Sequence, residues 1–483
     1  MGEESNAKQA DSLQRGSLGW HDIVFFVVAA AAPLTVMAAV APIALLIGGV
    51  GAPAGYLAAG AISAVFAVGF TRMAPHVHNN GAFYSYIRQG LGRAAGLASA
   101  LVAVVSYNLL QFSVYGLFGA VAGSTVKDFL SIDGPWWCWA LVGVVIVGLL
   151  GYRSVQVGAK VLAAILVAEV IILMVLAVAV IVQGGADGLT LAPYEPSNVF
   201  TGQMGAVLAV AFAAFVGFES TALYRDEAHD PARAIPRATY VAVGFLALFY
   251  SFIVWIAVMA FGMDGVVAAA AKDPAALFFT AMDTYVGGWA TDLMRILIVS
   301  SGLAALLSLH NAVTRYGYAL GSEAVLPKAL ARIHPEHRSP YVGSLVQSAM
   351  AVVAVLAFAI AGTDPVLEMA AWTASAGAIG VLALQALTSV SIAVFFRSGP
   401  HRSAFTSWVG VLSVVLLAAA LWLVLDHLDI ATLTKNVAIN VVVVAVPVMV
   451  FVAGLAYAAW LRSSRPDVYG KLGTANLDEP LSA

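Results

Sequence analysis

Residues Val210–Ala238 read VAFAAFVGFESTALYRDEAHDPARAIPRA, and this stretch sets the terms for the rest of the chain. It starts as an apolar membrane-type helix and then places Gly217, Phe218, Glu219, Ser220 and Thr221 where lipid-facing residues should continue. It ends in a charged, proline-bearing loop. A carboxylate in the middle of a bilayer span is costly unless it is protonated, paired or turned towards a cavity. Glu219 is therefore a functional candidate by default.

The surrounding composition fixes the class. Hydrophobic residues make up 61% and charged residues 10% of the chain, and the mean hydropathy is +0.92, which excludes an ordinary soluble domain. Apolar runs of about 20 residues recur, each able to cross a hydrocarbon core of roughly 30 Å. The expectation is an all-α polytopic membrane protein with about twelve spans. They fall near 22–48, 53–73, 95–123, 136–152, 157–183, 202–223, 237–262, 291–318, 341–361, 366–396, 405–426 and 437–461. GAFYSYIRQGLGR, between the second and third, suits an interfacial segment, and 264–290 suits a short helix or two lying over one face.

Several function classes drop out. The net charge of −3 gives no sign of a nucleic-acid partner. The single cysteine, Cys138, excludes an intrachain disulfide and a cysteine-based metal site. His76, His78, His334 and His337 fall in loops without metal-ligand spacing. No phosphate loop, nucleophile elbow or zinc-protease motif occurs, so neither an enzyme nor a cofactor is expected. The first residues, MGEESNAKQADSLQRGSLGW, lack the apolar run of a cleaved signal peptide.

Basic residues orient the chain. With both termini cytoplasmic, the spans leave only Lys127, Lys272, Arg295 and Lys435 outside, with Lys160 inside a span. The expected location is the cell membrane. The expected division is a cytoplasmic tail over 1–20, a ten-helix core over 21–400 (repeats about 21–185 and 200–400), two further helices over 403–463 and a disordered tail over 464–483.

Two spans are broken. The first contains Pro33, Leu34 and Thr35, and Pro33 removes a backbone donor. The sixth contains the GFEST interruption. Backbone leaves the helix at membrane depth only where it is buried in protein or lines a cavity. Breaks five spans apart are what two inverted five-helix repeats produce, with a midplane site between them, as in secondary transporters. Taken singly, either break is an ordinary kink.

Four stretches resemble the amino acid–polyamine–organocation superfamily of permeases. They are GFESTALYRDEAHDPARAIPRA at the sixth helix, NNGAFYSYIRQGLGR before the third, GAKVLAAI opening the fifth, and NAVTRYGYALGSEAVLPKALARIHPEHRSP after the eighth. In order, they span most of 20–400. The resemblance implies a LeuT-like core with alternating access and amino acid or amine substrates. The chain departs from the family at the first break, where APLTVM replaces a glycine-rich turn.

The candidate site residues follow from these breaks. Amides of Thr35, Val36, Met37 and Ala38, beyond Pro33, either hold a substrate carboxylate or leave Thr35 to satisfy backbone freed by the proline. Carbonyls around Phe215, Val216 and Phe218 are placed to accept from an ammonium group. Phe215 and Phe218 would pack on the substrate, and Gly217 provides the turn. Glu219 either pairs with a cation or fixes the break through hydrogen bonds. On the third span Tyr107, Gln111 and Tyr115 share one face, as pocket lining or as helix-to-helix glue. Ser300, Ser301, Ser308, Asn311, Trp372, Thr373 and Ser375 are weaker candidates of that kind. Lys160 is the expected proton-coupling residue if buried, since burial lowers a lysine pKa; otherwise it is a snorkelling lysine. Glu169 is expected to hydrogen-bond a neighbouring helix. The expected function is proton-coupled import of an amino acid. The alternative is an amine or polyamine transporter or exchanger, and more distantly a ligand sensor on a transporter scaffold. The oligomeric state is left open.

Overall fold

The computed structural model describes residues 16–77, 81–153, 155–398 and 400–473, with backbone alone at 155–159 and 226. Eleven helices among these residues are long and apolar enough to cross a membrane, and Trp136–Tyr152 is a shorter apolar helix. The chain is a multi-pass membrane protein. Its outer surface carries large apolar side chains, among them Val353, Trp408 and Val437. Its interior buries polar ones such as Glu169, Glu219, His310 and Arg315. That inversion suits a solvent of lipid, where polar groups must find partners inside the protein.

The first span is three pieces: α1 (Trp20–Ala31), α2 (Pro33–Ala39) and α3 (Ala41–Gly48). Ala32 separates the first two with φ 44° and ψ 68°. Pro33 hinders a right-handed helix in the residue before it, and left-handed backbone costs a non-glycine residue roughly 1–2 kcal/mol. Helix α4 (Ala52–Met73) returns, and the amphipathic α5 (Phe83–Leu91) leads into α6 (Arg93–Leu130). Then come α7 (Trp136–Tyr152) and α8 (Val155–Gln183).

The sixth span is α9 (Met204–Ala213), a turn over 214–217, and a 3₁₀ segment Phe218–Glu227. Runs of 3₁₀ beyond three or four residues are uncommon and often mark hinges. Helix α10 (Pro231–Phe261) follows, then α11 (Val266–Lys272) and α12 (Leu277–Tyr285), the two short helices expected between 264 and 290. The rest is α13 (Gly288–Ser322), α14 (Tyr341–Ile360), a π-helical turn into α15 (Ala371–Arg397), α16 (Ala404–Asp426) and α17 (Val437–Ser464).

The expected disordered tail needs correction at its start. Pro466–Lys471 is helical (α18), and Val468 and Leu472 are buried. Gly473 N donates to Glu323 at 2.9 Å, and Arg88 Nη1 donates to Gly473 O at 2.8 Å. The Tyr84 hydroxyl donates to the other Glu323 oxygen. Burial, and then the neighbouring Glu323 carboxylate, hold the Tyr84 phenol well above its ordinary pKa, so it stays a donor. Two apolar residues, and two side chains that hold the N–H and carbonyl of Gly473, thus anchor a segment whose composition reads as polar. Residues 474–483 and His78 lie outside the described residues.

Close helix approach positions the centre. A Cβ on Gly60 would lie 2.3 Å from Ala247 Cβ and 3.3 Å from the Phe215 ring, so α4 and α10 meet against the sixth-span break. Overpacking of this kind costs typically 1–3 kcal/mol. Gly60→Leu is therefore expected to lower the thermal midpoint in detergent, whereas Val353→Leu on the exposed surface is not. Equal midpoints for the two variants would contradict this packing.

Candidate functional site

The two breaks face one another. A Cβ on Gly217 would meet Ala30 Cβ at 3.4 Å. Tyr250 of α10 bridges them: its hydroxyl donates to Ala31 O at 3.1 Å, and its ring lies edge-on to Phe215 at 6.0 Å. Ala31, Phe215 and Phe218 are buried.

At the first break, Leu34 N would reach Ala30 O in a continuous helix. It donates instead to Glu169 Oε2 at 3.2 Å. Thr35 Oγ1 donates to Ser301 Oγ at 3.0 Å, and Ser301 is within hydrogen-bonding reach of the same carboxylate. Helix α8 therefore caps the break from the side. The amide cradle expected from Thr35 onwards is largely closed. Helix α2 starts at Pro33, so Val36 N already bonds Ala32 O at 2.9 Å. Pro33, Val36 and Met37 are buried, and Thr35 is half-buried.

At the second break, Gly217 takes φ 116°, a conformation open to glycine without penalty. Its N–H donates to the Glu219 carboxylate, at 3.2 and 3.1 Å to the two oxygens. Tyr107 donates to Glu219 Oε1 at 2.7 Å, and Gln385 Nε2 to Oε2 at 3.2 Å. Glu219 thus clamps the turn to α6 and α15. Among the described residues, the carbonyls of Ala214, Phe215 and Val216 accept no hydrogen bond from protein.

The polar face of α6 divides. Tyr107 reaches the break. Gln111 turns away, donating to Leu306 O at 3.4 Å and accepting from Gln347, which also donates to Asn108 at 2.8 Å. Tyr115 is buried with an unpartnered hydroxyl. Ser308 donates to Phe26 O at 2.6 Å, tying α13 to α1. Ser300, Thr373 and Ser375 bond backbone carbonyls. Trp372 and Thr373 line a cavity of about 350 Å³ with Leu109, Phe358 and Val443, away from both breaks.

Lys160 stands near the start of its helix. It lies in the second turn of α8, and its side chain is exposed. A long side chain near a helix end can extend to water or headgroups.

The arginine-rich end, where Arg225 closes the 3₁₀ segment, Arg233 and Arg237 open α10 and Arg315 reaches Glu227, is closed by a pair that sequence reasoning missed. Arg315 makes a bidentate bridge to Glu227 at 2.9 and 3.0 Å, with side-chain exposures of 4% and 2%. Arg315 also lies over the Tyr224 ring at 4.7 Å, and Tyr224 stacks on Phe26 at 4.7 Å. Leu18 N donates to Glu227 O, and His229 N donates to Leu18 O, both at 2.9 Å. Arg315 and Glu227 read as loop-side charges because each stands at the frayed end of an apolar run.

No metal-ligating cluster occurs among the described residues. Nearly the whole chain matches a known family. A model of the amino acid permease family covers residues 22–469. The chain belongs to the amino acid permease family. This permease is 26% identical over 419 residues to an uncharacterized transporter of Mycobacterium tuberculosis, covering 85% of this chain and 87% of that one. It is 23% identical over 305 residues to the low-affinity putrescine importer PlaP of Escherichia coli, covering 60% and 63%. It is 24% identical over 212 residues to the branched-chain amino acid permease BcaP of Bacillus subtilis, covering 43% and 41%. The permease is a transporter, not an enzyme.

Removing one member of a buried ion pair strands the other, at about 3–5 kcal/mol. Arg315→Met and Glu227→Gln are each expected to destabilise the permease by that order. The double variant is expected to recover much of the loss, read as thermal midpoints in detergent. Additive losses would show that the pair is not coupled.

Proposed function

We infer that this permease is a secondary transporter that imports a small ammonium-bearing solute by alternating access, coupled to protons. The observation that carries this reading is the pair of opposed breaks, where the carbonyls of Phe215 and Val216 meet no donor among the described residues. An ammonium group supplies three donors and no acceptor, as a ring of carbonyls requires. The ammonium is also what amino acids and amines share, and the relatives named for putrescine and branched-chain amino acids have it in common as a ligand feature.

The conformational cycle in this reading uses the two hinges. Ala32 and the 214–217 turn let α1 and the 3₁₀ segment swing while α2, α3 and α9 stay packed. Opening towards the arginine-rich end separates Arg315 from Glu227 and Leu18 from Ala228. The core is read as two inverted five-helix repeats over 21–185 and 200–400, with 403–463 outside it and both termini cytoplasmic. Lys160 is the coupling residue in this reading, its surroundings changing as the helices close and open around it.

Uptake into liposomes, driven first by a proton gradient and then by a sodium gradient, tests this. The expected result is proton-driven uptake, with Lys160→Ala losing gradient-driven accumulation but retaining solute exchange. Sodium dependence, or undiminished proton-driven uptake by Lys160→Ala, would contradict the coupling.

A further inference from the structure

We propose that Glu169 decides which amino compounds this permease accepts: its carboxylate occupies the place at the first break where a substrate carboxylate would dock, so the ligand is a cationic amine with no carboxylate of its own. The proposal rests on the transport reading above and narrows it.

Glu169 sits in the middle of α8 and is 2% exposed. The partner that hydrogen-bonds it is Leu34 N, a neutral group. Among the described residues, no lysine, arginine or histidine forms an ion pair with it. An anion buried without a cation is strongly disfavoured. Either a proton or a ligand must supply the missing positive charge.

The surroundings choose the ligand. Turning Leu34 N to Glu169 leaves Ala30 O without its helical donor. Phe215 O and Val216 O are free across the break. Val36 N is committed to Ala32 O, and Pro33 has no N–H. Thr35 N is left as a donor, and the carbonyls of Ala30, Phe215 and Val216 outnumber it among the described residues. The second carboxylate there, Glu219, also has only neutral donors, from Tyr107, Gly217 and Gln385.

One unspent group completes the set. Tyr56 is fully buried with no partner for its hydroxyl, and its ring meets Tyr250 edge-on at 5.9 Å. Tyr250 is the residue that links Ala31 O to Phe215. A phenol oxygen can accept from an ammonium group. A ligand carboxylate in the same place would face the Glu169 carboxylate with no cation between them. At contact distance and intermediate dielectric, that repulsion weakens binding by about a thousandfold.

Matched ligand pairs that differ by one α-carboxylate test this on the purified full chain. The probes are 1,4-diaminobutane against ornithine, isobutylamine against valine, and phenethylamine against phenylalanine, read by thermal shift and equilibrium binding. The expected result is stabilisation of the wild type by an amine and not by its amino acid partner. Glu169→Gln is expected to lose roughly a hundredfold in amine affinity and to lose the discrimination within the pair. Glu169→Asp, which keeps the charge, is expected to keep the preference with weaker binding, which separates charge from misfolding. If the wild type binds the amino acid as well as its amine, or Glu169→Gln keeps the preference, the proposal is overturned and the transport reading stands. If no member of either class binds, both are overturned.

Discussion

A helix that stops at membrane depth leaves amides and carbonyls that water cannot reach. In this permease the hydrogen bond from Leu34 N to Glu169 answers that problem at the first break. Three features depend on it. Ala32 holds a left-handed backbone that a free chain would abandon. Helix α8 is fixed against α1 and α2. Ala30 O is left without its helical donor beside the second break, where Glu219 performs the parallel task by accepting from Gly217, Tyr107 and Gln385. In each break a carboxylate takes an amide that the helix has released, and carbonyls stay open among the described residues. The chemistry of the centre follows from that asymmetry.

The closure at the arginine-rich end shows the same economy of charge. Arg315 is desolvated, yet Glu227 takes its guanidinium in two bonds and Tyr224 covers its face. The bridge spans α13 and the 3₁₀ segment, and the Leu18–Ala228 backbone pair draws the start of α1 into the same contact. These elements meet on the far side of the hinges from α2 and α9. A switch between two discrete arrangements of such a contact is how packed helices move, and a 3₁₀ segment, with its poorer hydrogen bonds, is suited to rearranging.

Much of the fold was legible in the sequence. Span lengths, the two breaks and the short helices after residue 264 all follow from hydropathy, proline and glycine, because a bilayer leaves few alternatives. The site was legible in part. Glu219 announces itself as a charge in an apolar run, and its partner Tyr107 lies on a recognisable polar face. Glu169 gave the same signal, but a span position does not say which neighbouring backbone is broken. That depends on how α8 docks, which periodicity does not encode. Arg315 and Glu227 were hidden for the opposite reason, since charges at the ends of apolar runs read as solvated. Lys160 was placed by its sequence context, and context does not fix which way a long side chain turns near a helix end. In the last residues, Val468 and Leu472 were too few to outweigh a polar composition, although two buried side chains and the bonds of Gly473 to Glu323 and Arg88 are enough to dock a turn of helix.

The central claim is that the ligand lies between the two breaks, with its ammonium on the carbonyls of Ala30, Phe215 and Val216. A cryo-electron microscopy map of the permease with a bound ligand tests it most directly. The account predicts ligand density enclosed by α1, α2, the 214–217 turn and Tyr250, with a nitrogen at hydrogen-bonding distance, about 3 Å, from at least one of those carbonyls. Density instead in the cavity beside Trp372, or a first break whose Leu34 amide holds the ligand while Glu169 points elsewhere, would contradict it.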